Sequence, residues 1–550
     1  MGFMRHVEPS VLIVGAGPVG MTCALLLSRL GITSRIVERR ATPQTAPAAH
    51  VVNARTFEIF RAAGVDMQAI GAACQDPADA GQVLWVSTLA GDELGRLPFE
   101  RQGTETLQFT PTPLRNLSQH RLEPILLDEV RRCADVDIAH GHEWEGAEQD
   151  SVGVTSRIRD RASQAVYDVR SRWLIGADGA ASPVRKRLGI EPIGPDRLQS
   201  FVMIHFEANL RGLVGHRPGV LYWTTAPDAT GTFVAHDIDS TWVYMHPWDP
   251  DRESVQDYSE SACADIVRRA MGTDAYPFTI RTIRPWTMTA QVAARYRERR
   301  IVLVGDAAHR FPPTGGLGLN TGVQDAHNLV WKIAAVEAGW AGNALLDTYE
   351  AERRPVAQRN ADVSLRNALR LGEVFQALAE RPVRGNGVSD AVRAAIANQA
   401  EHFDMLGLQL GFTYESDAIA EADDGQAPAE SVREYVPSAR PGARIPHAWV
   451  TRAGRRVSTL DLFAYDRFTL VAGPAGQAWA DATRSVVPLD CITIGREVED
   501  ADGHWTQLLG IDADGAVLVR PDQHVAWRCR RAGTDAAAAL ARVLDRVLSR

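Results

Sequence analysis

Gly15, Gly17 and Gly20 follow an apolar run in the order G-x-G-x-x-G, and an apolar-periodic stretch follows them. The first glycine permits a tight turn, the second lets backbone approach a pyrophosphate, and the third allows close packing of helix on strand. The free N–H groups at the start of the helix then face the phosphates. Glu38 ends the next apolar run, 18 positions after Gly20, where a carboxylate can accept hydrogen bonds from ribose hydroxyls. The combination reads as a dinucleotide site. By itself it serves NAD and FAD equally, and the reading without chemistry is a generic tight turn.

Two further stretches carry polar groups at the ends of apolar runs. "GADGAASPVRKRLG" places Asp178 and Gly179 after a strand; alone it is an ordinary Asp-Gly turn. "IVLVGDAAHRFPPTGGLGLN" runs a buried strand into Asp306, whose carboxylate needs partners that a polyol hydroxyl would supply. Two prolines then fix the chain direction, and Gly315, Gly316 and Gly318 bare their N–H groups. Val323, Ala326, Val330 and Ile333 make a buried stripe on the helix that follows. Its N-terminus therefore points out of the core and favours negative charge on whatever binds there.

These groups need a scaffold. "VLIVGAGPVGMTCALLLSRLG" reads as strand, turn and helix closed by Gly31, and "TSRIVERR" as the next strand, which opens a βαβ unit. Residues 201–284 alternate in β-type residues and predict an antiparallel sheet inserted into the first domain. Helical periodicity runs from Gly318 to about Asn398, and residues 399–441 read as a linker. From Gly442 onward strand, hairpin and closing helix make a separate α/β module. The domains expected are 1–200 with 285–398, then 201–284 with part of 80–110, and 442–550.

The chain has 550 residues, too many for one ordinary domain, and its 45% apolar content suffices for large cores. A net charge of −9 argues against nucleic acid. Six scattered cysteines with no C-x-x-C pair suit reduced thiols in the cytoplasm, and no metal-ligand spacing is present. No run is long enough to span a membrane, and "MGFMRH" lacks the Ser or Thr that myristoylation needs.

The three motifs in this order resemble the class A flavoprotein monooxygenases, with the fold of p-hydroxybenzoate hydroxylase and phenol hydroxylase. The resemblance covers about Val11 to Arg370, and "PGARIPHAWV" with the module after it resembles the C-terminal thioredoxin-like domain of the phenol hydroxylase branch. It implies an α/β protein: a Rossmann-like FAD-binding domain, an inserted antiparallel β-sheet substrate domain, and a thioredoxin-like C-terminal domain without dithiol chemistry. The ADP part of FAD falls on Gly15, Gly17, Gly20 and Glu38, with Arg39 beside it. Asp178 and Gly179 would serve FAD and NAD(P)H together, and Asp306 the ribityl chain. Arg55 and Gln119 would also contact FAD. Pro313, Gly316, Gly318, Leu319 and Asn320 would line the flavin ring, with Pro313 also touching substrate.

The implied reaction is hydroxylation of a phenolic ring through an FAD C4a-hydroperoxide, with NADPH or NADH as reductant and O2 as the oxygen source. A phenol reacts better as phenolate, so a base helps. The resemblance places that base at His50, five positions before Arg55, as in the 2,4-dichlorophenol hydroxylase-like branch; the bland reading is a strand histidine satisfied by backbone. Of the inserted sheet's polar and aromatic residues, alternation lets only one face reach a ligand, and Trp223 and His236 are singled out for substrate. A homodimer is implied by resemblance only. Baeyer–Villiger oxygen insertion on a polyketide-like ketone and flavin binding without turnover are the competing readings; no W-x-W-x-I signature supports a halogenase.

Overall fold

The computed structural model describes residues 8–380, 388–420, 429–483 and 487–550. The "MGFMRH" stretch and part of the expected linker lie outside them.

The strand Val11–Val14 is buried on both faces and lies at the centre of a six-stranded sheet. Its order is Arg297–Glu298, Ile301–Leu303, Trp173–Gly176, Val11–Val14, Ser34–Glu38, Val136–His140. All neighbours pair in parallel except the first two. Continuous apolar runs suit such doubly covered strands. The helices Pro18–Arg29 and Leu317–Glu337 pack together on the sheet, and the second is buried almost all round. All three motifs leave the carboxyl ends of adjacent strands: Gly15 after Val14, Asp178 after Gly176, Asp306 after Leu303. In open α/β sheets this edge is where ligands bind.

The inserted sheet has seven strands, in the order Thr279–Met288, Gln199–Glu207, Thr241–Trp248, Gly231–Asp237, Leu221–Thr224, Gln82–Val86, Glu93–Pro98. It is antiparallel except where Leu221–Thr224 pairs in parallel with Gln82–Val86. One face carries Leu84, Tyr222, Phe233, Trp242 and Tyr244 and packs against Cys263, Val267 and Met271 of the helix Glu260–Met271. The other face carries Val83, Trp85 and Trp223 and meets Val51, Phe99 and Phe403.

The expected linker is largely packed structure. Phe403 closes on Trp85 and Trp223, and Arg101 makes a bidentate pair with Asp404 at 2.7 and 3.0 Å. Its polar and proline-rich composition hid this, because Phe403, Met405, Leu406 and Leu408 are a short apolar run without helical length. The C-terminal module holds a four-stranded sheet, ordered Leu489–Thr493, Phe468–Ala472, Ala516–Val519, Val525–Cys529, with the helices Gln477–Ala482 and Ala536–Val547 packed together. No helix of the described residues is long and apolar enough to cross a membrane.

Candidate active site

At the nucleotide end, Gly15 adopts φ +107°, and a Cβ there would stand 2.3 Å from the Ala177 carbonyl oxygen. A Cβ on Gly20 would stand 2.1 Å from the Gly15 carbonyl oxygen. Both positions therefore exclude side chains by contact with backbone. Gly17 differs: a Cβ there would meet nothing within 4 Å, and Gly17 begins the helix Pro18–Arg29 with no side-chain cap. The first helical turn thus opens onto free space, as a pyrophosphate requires. Glu38 accepts hydrogen bonds from the N–H of Ala16 (3.0 Å) and of Arg40 (2.8 Å). Burial raises its pKa, but these bonds and the Arg40 charge outweigh it and hold the carboxylate ionised. A narrow cavity lies between Ala16, Glu38, Arg40, Glu123 and His140. Arg39 is exposed beside it, and Gln119 donates to Glu123 (2.7 Å) one turn away.

Asp178 is engaged locally, accepting from the Ser182 hydroxyl (2.6 Å) and the Val184 N–H (2.9 Å), while Gly179 (φ +80°) faces open space. The Arg185 guanidinium donates to the Ala307 carbonyl (3.0 Å), which ties this motif to the third.

In the third motif Gly305 (φ +60°) donates its N–H to Asp325 of the helix Leu317–Glu337 (3.1 Å). Asp325 also accepts from Arg353 (2.8 Å) and pairs with His309 (2.7 Å). The turn carrying Asp306 is therefore anchored from behind by a buried carboxylate. Asp306 itself reaches solvent although protein surrounds it, so it lines a cleft. Burial raises its pKa against the lowering pull of His309 and Arg310, and no hydrogen bond from the described residues holds it. A Cβ on Gly318, in the first turn of the helix, would be 3.8 Å from Asp306 Oδ1. Pro313 is exposed, and Leu319 is partly exposed. Gly316 (φ +61°) lies against Val51, where a Cβ would be 2.5 Å from the valine Cβ.

The Asn320 side chain is engaged by protein. Its amide donates to the carbonyls of Val51 (2.9 Å) and Gly316 (2.6 Å) and accepts from the Asn53 N–H (2.9 Å) and the Thr56 hydroxyl (2.7 Å). All the amide's capacity is used, so the side chain braces the loop from behind. Arg55 is engaged likewise. It is buried on Glu58 (2.9 Å), Gln523 (2.7 Å) and the Asp522 carbonyl (2.8 Å), the last two in the C-terminal module. Arg444 of that module completes the cluster through Glu58.

Facing this loop, His50 precedes Val51 in a two-stranded pairing, Val51–Val52 with Arg115–Asn116. That pairing puts His50 Nδ1 2.9 Å from Asn116 Oδ1. Burial lowers the His50 pKa, against the Asn116 bond that raises it. His236 stands edge-on to His50, ring centres 5.4 Å apart, on the inner face of the inserted sheet. Trp223 shares that sheet face but is stacked on Trp85 at 4.8 Å, so it forms the wall. Tyr222 and Tyr244 point to the opposite face. Asn116 and Asp325 were not found by sequence reasoning; Asp325 is a charged residue in a helix buried almost all round, and the two-residue strand Arg115–Asn116 carries no pattern.

The open first turn at Gly17, Glu38 beyond it and the unpartnered Asp306 beside a second helix N-terminus fit FAD in extended form. Known proteins agree. Residues 8–364 match the family model for an FAD binding domain, and residues 438–550 that for the aromatic-ring hydroxylase C-terminal region. The chain belongs to the FAD-dependent aromatic-ring hydroxylases, and FAD is its cofactor. It is an oxidoreductase, a flavoprotein monooxygenase. It is 36% identical to 2,4-dichlorophenol 6-monooxygenase of Delftia acidovorans, over 98% of both chains. It is also 36% identical to tetracenomycin A2 monooxygenase-dioxygenase of Streptomyces glaucescens, covering 100% of this chain and 98% of that one. The crystal structure of the flavin-dependent monooxygenase PieE with FAD and substrate superposes with a TM-score of 0.92 at 36% identity, covering 99% of this chain and 100% of PieE.

Proposed function

We propose that the protein hydroxylates a phenol-bearing aromatic ring, with His50 as the base that takes the phenol proton. The carrying observation is the His50–Asn116 hydrogen bond. An amide oxygen only accepts, so His50 Nδ1 must hold the proton and Nε2 keeps its lone pair. Burial keeps the ring neutral, the form a base needs. Val51, the next residue, touches Gly316, so the base adjoins the glycine loop. Bound FAD, reduced by NAD(P)H, supplies the activated oxygen. The protein's part is to orient: Gly17 and Glu38 hold the dinucleotide, with Asp178 and Gly179 beside them. Asp306 receives the ribityl hydroxyls, and the first turn at Leu317 offers N–H groups to the ring's charge.

Similarity to a dichlorophenol monooxygenase and to tetracenomycin and polyketide hydroxylases supports a substrate between a substituted phenol and a fused polyketide-type aromatic. The succession strand, helix, strand, helix, two strands, helix, with the first two strands parallel and the next two antiparallel, supports a thioredoxin-like C-terminal domain. Free cysteines support a reducing, cytoplasmic setting, and family likeness a homodimer.

The test is a panel of phenols with the purified yellow protein, following NADPH and NADH oxidation and product mass. Phenol-stimulated oxidation with one oxygen added to an intact ring is expected. Ring-expanded lactones would move the assignment to Baeyer–Villiger chemistry, and a yellow protein inert to the whole panel to flavin binding alone. His50→Ala should keep FAD and lose coupled hydroxylation; unchanged coupling across pH would remove His50 from the mechanism.

A further inference from the structure

His236 occupies an irregular place in its sheet. The pairing of Gly231–Asp237 with Thr241–Trp248 runs Ala235 to Trp242 and then Asp237 to Thr241, so His236 is the extra residue of a β-bulge. Alternation from Thr232, which pairs with Trp223, brings His236 to the Trp223 face, and the bulge leaves it without a partner on Thr241–Trp248. The ring is 3% exposed, its Nδ1 makes no hydrogen bond within the described residues, and it meets His50 edge-on at 5.4 Å. A buried polar nitrogen without a partner is destabilising, so it marks a place where a ligand atom belongs.

The surroundings say which kind of atom. His120 stands 6.3 Å from His236 and binds the Ser118 hydroxyl through Nδ1 (2.8 Å), and His205 lies on the neighbouring side. Two of the nearby charges are paired, Arg121 with Asp237 (2.6 Å) and Arg281 with Glu207 (2.5 Å). Arg284 and Arg281 face His205. The groups that bear most on His236 are three imidazoles and the Arg121 guanidinium, whose charge Asp237 balances. Burial and these neighbours keep His236 neutral. A neutral imidazole has one donor and one acceptor and so suits an oxygen that can both donate and accept, such as a phenol.

We propose that His236 reads a second substrate oxygen, so that the ring accepted here carries two neighbouring oxygens on one edge, one at His50 and the other at His236. The proposal rests on His50 as the phenol base and narrows the substrate class of that same site. Phe99 stacks 6.5 Å from His50, and Trp85 with Trp223 walls the inner face, which leaves the rest of the ligand apolar.

The experiment uses FAD-loaded protein and three probes: 2-naphthol, 2,3-dihydroxynaphthalene and its monomethyl ether. Affinity is read from the change in flavin absorbance. The diol should bind about tenfold tighter than 2-naphthol, as one added buried hydrogen bond predicts, and the ether should lose most of that gain. In His236→Phe the diol-to-naphthol ratio should fall toward one, and His236→Gln, which keeps a donor and an acceptor, should restore part of it. Equal affinities in the parent protein, or an unchanged ratio in a fully flavinated His236→Phe protein, overturn the proposal. The base assignment fails separately: His50→Ala would then retain coupled hydroxylation while the His236 ratio still collapses.

Discussion

Replacing Asn116 by Leu removes the acceptor that fixes the His50 tautomer while nearly preserving volume. Asn116 is fully buried, and its Oδ1 lies 2.9 Å from His50 Nδ1. In the parent, the Nδ1–H form gains this bond, whereas the Nε2–H form would set a lone pair against the amide oxygen. An unmade buried bond of this kind costs about 1–3 kcal/mol, so the Nδ1–H form dominates by about 5- to 150-fold at about 1.4 kcal/mol per tenfold. In Asn116→Leu that preference is lost, and the fraction of rings with a free Nε2 lone pair falls accordingly. With neither tautomer favoured, about half the rings keep a free Nε2 lone pair, so turnover with coupled hydroxylation should drop by about twofold, while FAD content and NADPH oxidation without phenol stay near the parent values. Asn116→Asp tests the same geometry in the other direction. A carboxylate stabilises the imidazolium and raises the His50 pKa, which burial otherwise lowers. The acid limb of the rate profile should therefore move to higher pH. The measurement is product formed per NADPH consumed, across pH, at saturating phenol. Full coupling and an unshifted profile in both variants would refute the tautomer argument.

Asp306→Ala should weaken FAD binding, measured by flavin release on dilution, because Asp306 has no competing partner among the described residues. Gly316→Val should retain more FAD but lose coupling: φ +61° and a Cβ 2.5 Å from that of Val51 force the loop to shift. Gly20→Ala should purify nearly colourless, since its Cβ would sit 2.1 Å from the Gly15 carbonyl oxygen and displace the turn. Glu58→Ala should destabilise the fold by about 3–5 kcal/mol in denaturant titration, because Arg55 and Arg444 are left as uncompensated buried charges. Burial raises the Glu58 pKa, but Arg444 and Arg55 outweigh it and hold it at about 2, below its ordinary 4.5. The stability it contributes is thus complete above about pH 4.5 and lost as pH falls toward 2, a loss the variant should not show in that window.

The cluster around Glu58 also gives the C-terminal module a physical role. Arg520 donates to Glu352 and Asp522 accepts from Asn328, both on the flavin domain's helices, and Lys332 closes the cluster on Glu352. The helices they grip are Leu317–Glu337, which opens at the glycine loop, and Asp347–Glu380. The module therefore holds the back of the cofactor site with ion pairs at no visible cost to the front, which stays free for ligand.

What the sequence determined by itself is whatever local covalent geometry and periodicity decide. A glycine next to a strand end, an acid at the next strand's end and a Pro–Gly run before an apolar stripe mark where strands stop and helices start, so the strand, turn and helix order was legible. Alternation likewise separated Tyr222 and Tyr244 from Trp223. The tertiary structure decided which distant groups meet. His50 and Asn116 are 66 positions apart and face each other only because two short strands pair. Arg55 meets Gln523, 468 positions on, only once the chain is folded. His236 shares the Trp223 face by alternation, but only the fold brings that face against His50. Local rules act through neighbours along the chain; hydrogen bonds and buried charges are settled by neighbours in space.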